Sequence, residues 1–135
     1  MRFFLGALAI AGVLSMAGSR PASAEDLTHT KDTPEAALKN IKDGKAVLVD
    51  VREQKEWDEG HIAGAIFMPK SKLDVEKEAA ELAKKLDKTK IVYTHCRAGR
   101  RALACGEVLK KQGFEVRVLK PGYEELLKAG FEKAK

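Results

Sequence analysis

Ile91-Val92-Tyr93-Thr94-His95 runs directly into Cys96-Arg97-Ala98-Gly99-Arg100-Arg101, and that loop runs into Ala102-Leu103-Ala104-Cys105-Gly106-Glu107-Val108-Leu109. The first five residues read as a strand, and the apolar or small positions 102, 105, 106 and 109 share one helical face. A loop that leaves the carboxyl end of a strand and opens a helix turns its backbone N–H groups inward, and the helix dipole adds partial positive charge there. A thiol in that cup leans towards thiolate, the reactive form, and three arginines in the same six residues strengthen the effect. An inert core cysteine sits among apolar neighbours. Those after Cys96 are charged or small, and Gly99 lets the loop turn with φ > 0. Cys96 is therefore read as a nucleophile in a site for an anionic substrate.

Outward from this stretch, short apolar runs alternate with longer amphipathic ones, the rhythm of an α/β fold with a mostly parallel sheet. Five strands are expected, over residues 27–30, 46–50, 65–67, 91–95 and 115–119. Thr33 before Pro34 caps a helix through Ile41, closed by Gly44. Val75, Ala79, Leu82 and Leu86 set one surface helix over 71–86. The helix after the cysteine loop runs to about residue 112, with Gly113 ending it. Pro121-Gly122 breaks the last strand, and a final helix carries Tyr123, Leu126 and Leu127 on one face.

The chain has 135 residues and a formal net charge of +5. Arg2, the apolar run from Phe3 to Ala17 and Ala22-Ser23-Ala24 predict a secretory signal peptide over residues 1–24. The run of about 15 apolar residues falls short of the ~20 needed to span a bilayer. Residues 25–135 are then one domain, periplasmic or secreted, with no membrane attachment after cleavage. Without the two arginines of residues 1–24 the balance is 23 basic to 20 acidic, net +3. Lysines and acids intermix along helix faces, which excludes a nucleic-acid signature. Cys105 lies about 9 Å along the helix axis from Gly99, which disfavours a bridge to Cys96. Its helical face makes it a core residue. No cysteine pair or histidine cluster has zinc spacing, and neither a metal nor an organic cofactor is expected.

Four patches together resemble the rhodanese family of sulfurtransferases, in its single-domain exported form. These are Val49-Asp50-Val51-Arg52-Glu53, then Glu56-Trp57-Asp58-Glu59-Gly60-His61-Ile62-Ala63-Gly64-Ala65 with Pro69, then the Cys96 to Arg101 loop, then Gly113-Phe114 through Pro121-Gly122-Tyr123. The resemblance implies a rhodanese-like five-stranded parallel sheet flanked by helices on both faces. It implies transfer of a sulfane sulfur from thiosulfate, through a Cys96 persulfide, to cyanide or a thiol. A protein sulfur donor or acceptor is a further kind of partner. The backbone amides of Arg97, Ala98, Gly99, Arg100 and Arg101 would hold the persulfide anion, and the three arginines would hold sulfite or draw thiosulfate in. Asp50 and Arg52 would support the loop.

Two other readings stand beside this one. Phosphatases and arsenate reductases of the same fold place an arginine six residues after the cysteine, but residue 102 is alanine, which shortens the loop to the size of a sulfur atom. The domain as a sulfur carrier or binding module, relaying sulfur to or from a partner without turnover, keeps the same loop. Of the remaining residues, His61 is expected to fix its turn, and His95 to face away from Cys96. Trp57 is expected to cover the sheet edge, and Tyr123 to pack in its helix or line the pocket rim. His29 carries no argument.

Overall fold

A computed structural model describes residues 27–135. The expected signal segment, residues 1–24, lies outside the described residues. The elements are α1 (Pro34–Lys42), β1 (Ala46–Asp50), α2 (Gln54–Glu59), β2 (Ile66–Phe67), α3 (Lys70–Leu73), α4 (Glu76–Ala83), β3 (Ile91–His95), α5 (Arg100–Lys111), β4 (Glu115–Val118) and α6 (Tyr123–Lys128). All strand pairings are parallel, in the order β2-β1-β3-β4.

Strand alternation splits the core into two layers. Ala46, Leu48 and Tyr93 face α1 and α6 with Ala37, Leu119 and Leu126. Val49, Val51, Val92 and Val118 pack on the other face with Leu73, Ala79, Cys105 and Leu109 from α3, α4 and α5. Helices therefore cover both faces, as parallel strands require. The register sets Asp50 beside both Phe67 and His95, so the carboxyl ends of three strands meet where Cys96 begins.

Two expectations are corrected. The sheet has four strands among the described residues, not five: the segment at 27–30 supplies a single parallel bridge, His29 with Val118, and one hydrogen bond, Thr30 N–H to the Val118 carbonyl at 2.7 Å. It stops there because Thr30 Oγ1 accepts the Asp32 N–H, turning the chain towards the Thr33 cap of α1. The helix expected over 71–86 is two helices, broken at Asp74 and Val75, and Val75 is extended and 48% exposed. Leu73 and Ala79 are both buried, yet in one straight helix they would point about 120° apart. The break lets both face the sheet. An unpredicted helix, α2, is opened by a reciprocal capping box between Glu53 and Glu56.

Candidate active site

Cys96 leaves the end of β3 with its side chain 1% exposed. Its sulfur accepts the Gly99 N–H at 3.0 Å and the Ala102 N–H at 3.4 Å. Of the amides expected on the sulfur, Gly99 meets it, while the second comes from Ala102, one residue past the expected loop. Gly99 has φ +89 and a Cβ there would come within 2.9 Å of His29 Nε2 and 3.1 Å of the Lys120 carbonyl, so the turn demands glycine for both conformation and space. Thr94 Oγ1 donates to the Ala102 carbonyl at 2.9 Å, fastening the first turn of α5 to β3. The 12-residue α5 thus begins under the sulfur and directs its positive end there.

The three arginines divide. Arg97 and Arg100 are exposed, and neither guanidinium has an ion-pair partner among the described residues. Arg101 is used otherwise than expected. It grips Glu56 with two bonds, 2.6 and 3.0 Å, joining the loop to α2. Glu56 also accepts the Glu53 N–H, and the Glu53 carboxylate accepts the Ser71 hydroxyl at 2.7 Å. Arg101 holds the Glu56 carboxyl well below its ordinary value, at about 2. Because that pKa is depressed on folding, the ion pair contributes fully above the ordinary pKa of 4.5 and is lost as pH falls from there to about 2. The difference in urea midpoint between native protein and Glu56→Gln is therefore expected to be constant from pH 7 to 5 and to shrink steadily below 4.5; a difference unchanged at pH 2.5 would contradict this ion-pair assignment.

Asp50 and Arg52 form a buried pair, 0% and 4% exposed. Arg52 Nε lies 3.1 Å from both carboxylate oxygens, Nη2 lies 2.8 Å from one, and the Arg52 N–H adds a fourth bond. Neither touches the loop directly. Arg52 Nη2 also donates to the Gly60 carbonyl, and its guanidinium lies 4.2 Å over the Tyr123 ring. The Tyr123 N–H in turn donates to the Cys96 carbonyl at 3.0 Å. His95 is fully buried, with Nδ1 3.3 Å from the Cys96 carbonyl and Nε2 3.6 Å from Asp50. Burial holds His95 below its ordinary pKa against the opposing pull of Asp50, so it stands there neutral.

His29, which sequence reasoning passed over, reaches the loop: its Nε2 lies 2.9 Å from the Gly99 carbonyl, which also accepts the Leu103 N–H. A carbonyl only accepts, so Nε2 carries the proton in this bond. The single bridge to β4 puts it there, and nothing local in the sequence announces such a contact. His61 and Trp57 behave as expected. His61 Nδ1 bonds the Trp57 carbonyl at 3.0 Å, and the Trp57 ring stacks on His61 and on Phe67 of the edge strand. Cys105 is buried in the core and both cysteines are free. Burial, then the nearby Asp74, pushes the Cys105 thiol up to about 12, which keeps it protonated at neutral pH.

A buried sulfur cradled by amides at the carboxyl edge of a parallel sheet defines a domain built for a cysteine nucleophile. The model of the Rhodanese-like domain matches residues 33–129, and the chain belongs to that family. YrkF of Bacillus subtilis, named for a sulfur-carrier role, is 34% identical over 92 residues, which cover 64% of this chain and 46% of YrkF. The chain thus spans about half the length of that relative. Thiosulfate sulfurtransferase GlpE of Coxiella burnetii is 35% identical over 85 residues, 62% of this chain and 74% of GlpE. A rhodanese-related protein from Thermoplasma volcanium shares the fold with a TM-score of 0.61 and 27% identity, over 75% of this chain and 93% of its own.

Proposed function

We propose that the chain is a thiosulfate sulfurtransferase working through a Cys96 persulfide. The observation that carries this reading is the sulfur cradle, in which the Gly99 and Ala102 amides meet the Cys96 sulfur beneath two unpaired arginines. The Cys96 thiolate attacks the outer sulfur of thiosulfate, the S–S bond breaks, and its electron pair leaves with sulfite. The negative charge of the persulfide then lies over the amides and the start of α5. Cyanide or a thiolate attacks the outer sulfur and returns the electron pair to Cys96. Arg97 and Arg100 attract the dianion and steady the leaving sulfite. Likeness to GlpE supports thiosulfate as donor. Likeness to YrkF supports a carrier reading, in which Cys96 takes one sulfur and releases it only to a partner protein. We further propose that residues 1–24 direct the domain out of the cytoplasm, which the N-terminal sequence of the protein recovered from cell fractions would test.

Steady-state release of sulfite from thiosulfate, with thiocyanate formed on adding cyanide, tests the enzyme. Turnover that is abolished in Cys96→Ser is the expected result. A single sulfur loaded without turnover would favour the carrier, and no loading at all would sink both. His29 enters as a positioning residue. His29→Ala is expected to lower kcat/KM for thiosulfate about two- to tenfold, the worth of one lost hydrogen bond, while His29→Gln, which keeps an N–H, recovers part of it. Equal losses in both variants would remove the positioning role.

A further inference from the structure

Beside the active loop lies a pocket of about 150 Å³ whose wall includes Arg97, Tyr123, Lys133, Glu59 and Glu124. Tyr123 is 8% exposed, and its hydroxyl has no hydrogen-bond partner among the described residues. A buried phenol ordinarily has one. Gly60 leaves the space that this hydroxyl faces: a Cβ there would come within 2.8 Å of the Tyr123 oxygen and 3.2 Å of Lys133 Nζ. Phenol and ammonium therefore converge on one spot. Lys133 is held at the wall by the C-terminal tail, which bridges Ile62 and bonds the carbonyl of His61 through the Ala134 N–H.

The charges round the pocket point to the ligand. Arg52 is spent on Asp50, and Glu56 on Arg101. Arg97, Lys133, Glu59 and Glu124 form no ion pair among the described residues, which leaves two positive and two negative groups. Two free carboxylates repel a dianion such as thiosulfate, and an uncharged molecule would leave all four unmatched. A zwitterion matches both signs. Arg97 follows Cys96 in the chain and Tyr123 bonds the Cys96 carbonyl, so a bound head group sits next to the nucleophile.

We propose that this pocket binds the amino-acid head of the sulfur acceptor, a thiol bearing both an α-ammonium and an α-carboxylate. Lys133, Arg97 and the Tyr123 hydroxyl take the carboxylate, and Glu59 and Glu124 take the ammonium. The inference rests on the sulfur-transfer reading and names its acceptor class. The acceptor thiol loses its proton to solvent, and its sulfur bonds to the outer sulfur of the Cys96 persulfide. The bond to Cys96 breaks, the electron pair returns to the Cys96 thiolate, and the acceptor leaves as its own persulfide. No oxidant or reductant is consumed.

The test has two arms on the same protein. In the first, S-methylcysteine, which cannot accept sulfur, is titrated by NMR against 3-(methylthio)propionate and S-methylcysteamine, which keep one charge each. S-methylcysteine is expected to bind at least about tenfold tighter than either, the worth of one charge-assisted bond, with Tyr123→Phe and Lys133→Gln each weakening it several-fold. Equal binding of the three, or none, overturns the proposal. In the second arm, protein exposed to thiosulfate is discharged by cysteine, 3-mercaptopropionate, cysteamine or cyanide, with rates corrected for thiolate fraction. Discharge by cyanide with no preference for cysteine would remove the pocket's role and leave sulfur transfer standing. Selective binding of S-methylcysteine without discharge by any of them would keep the pocket and remove sulfur transfer.

Discussion

Arg52→Met is expected to destabilise the domain by about 3–5 kcal/mol, the cost of leaving one partner of a buried ion pair uncompensated, measured as a fall in the urea midpoint at pH 7. Asp50 is fully buried and takes three of its four hydrogen bonds from the Arg52 guanidinium. Methionine fills much of the same volume but returns only the backbone bond to the carboxylate. Neutral His95, 3.6 Å away, supplies no compensating charge. The variant also loses the cation over the Tyr123 ring and the bond to the Gly60 carbonyl. Replacing both partners, as Asp50→Leu with Arg52→Met, is expected to cost less than Arg52→Met alone, because no charge is then stranded. A single variant within about 1 kcal/mol of native, well below that buried-pair cost, would show that Asp50 is not ionised in the native state.

Gly122→Ala is expected to lower sulfur turnover by about a hundredfold or more, the cost of moving reacting groups by roughly an ångström. A Cβ at residue 122 would stand 1.8 Å from the Arg97 carbonyl oxygen and 2.4 Å from its carbon. Both belong to backbone, so no side-chain rotation relieves the overlap. The loop must move away from α6, and the bond from the Tyr123 N–H to the Cys96 carbonyl goes with it. The helices and sheet lie elsewhere, so far-UV circular dichroism is expected to stay native while kcat collapses. Activity within threefold of native would mean that the loop tolerates displacement and that its position is not what supports transfer.

Strands β1 and β3 were legible to the residue because each is a continuous apolar run buried on both faces, a local property of the sequence. The same holds for Cys105, whose helical spacing alone put it in the core. The nucleophile was legible for a different reason: the strand, loop and helix pattern around Cys96 specifies an amide-lined turn without reference to the rest of the chain. Contacts set by long-range closure were not. His29 meets Gly99 across 70 residues, and Glu56 meets Arg101 across 45. The Glu53–Glu56 spacing, three apart before a helix, was the one local sign of α2. The fifth strand failed because apolar pattern fixes which segments lie against a sheet, whereas the length of pairing is set by where the chain must turn next. The single helix over 71–86 failed similarly, since both Leu73 and Ala79 had to reach one core.

The measurement that bears most directly on Cys96 as the sulfur carrier is intact-mass and peptide-level mass spectrometry after brief exposure to thiosulfate. One added sulfur atom on the Cys96 peptide is predicted, present in Cys105→Ala, absent in Cys96→Ala, and removed by cyanide as thiocyanate. Sulfur found on Cys105, or on neither cysteine, would contradict the assignment of Cys96.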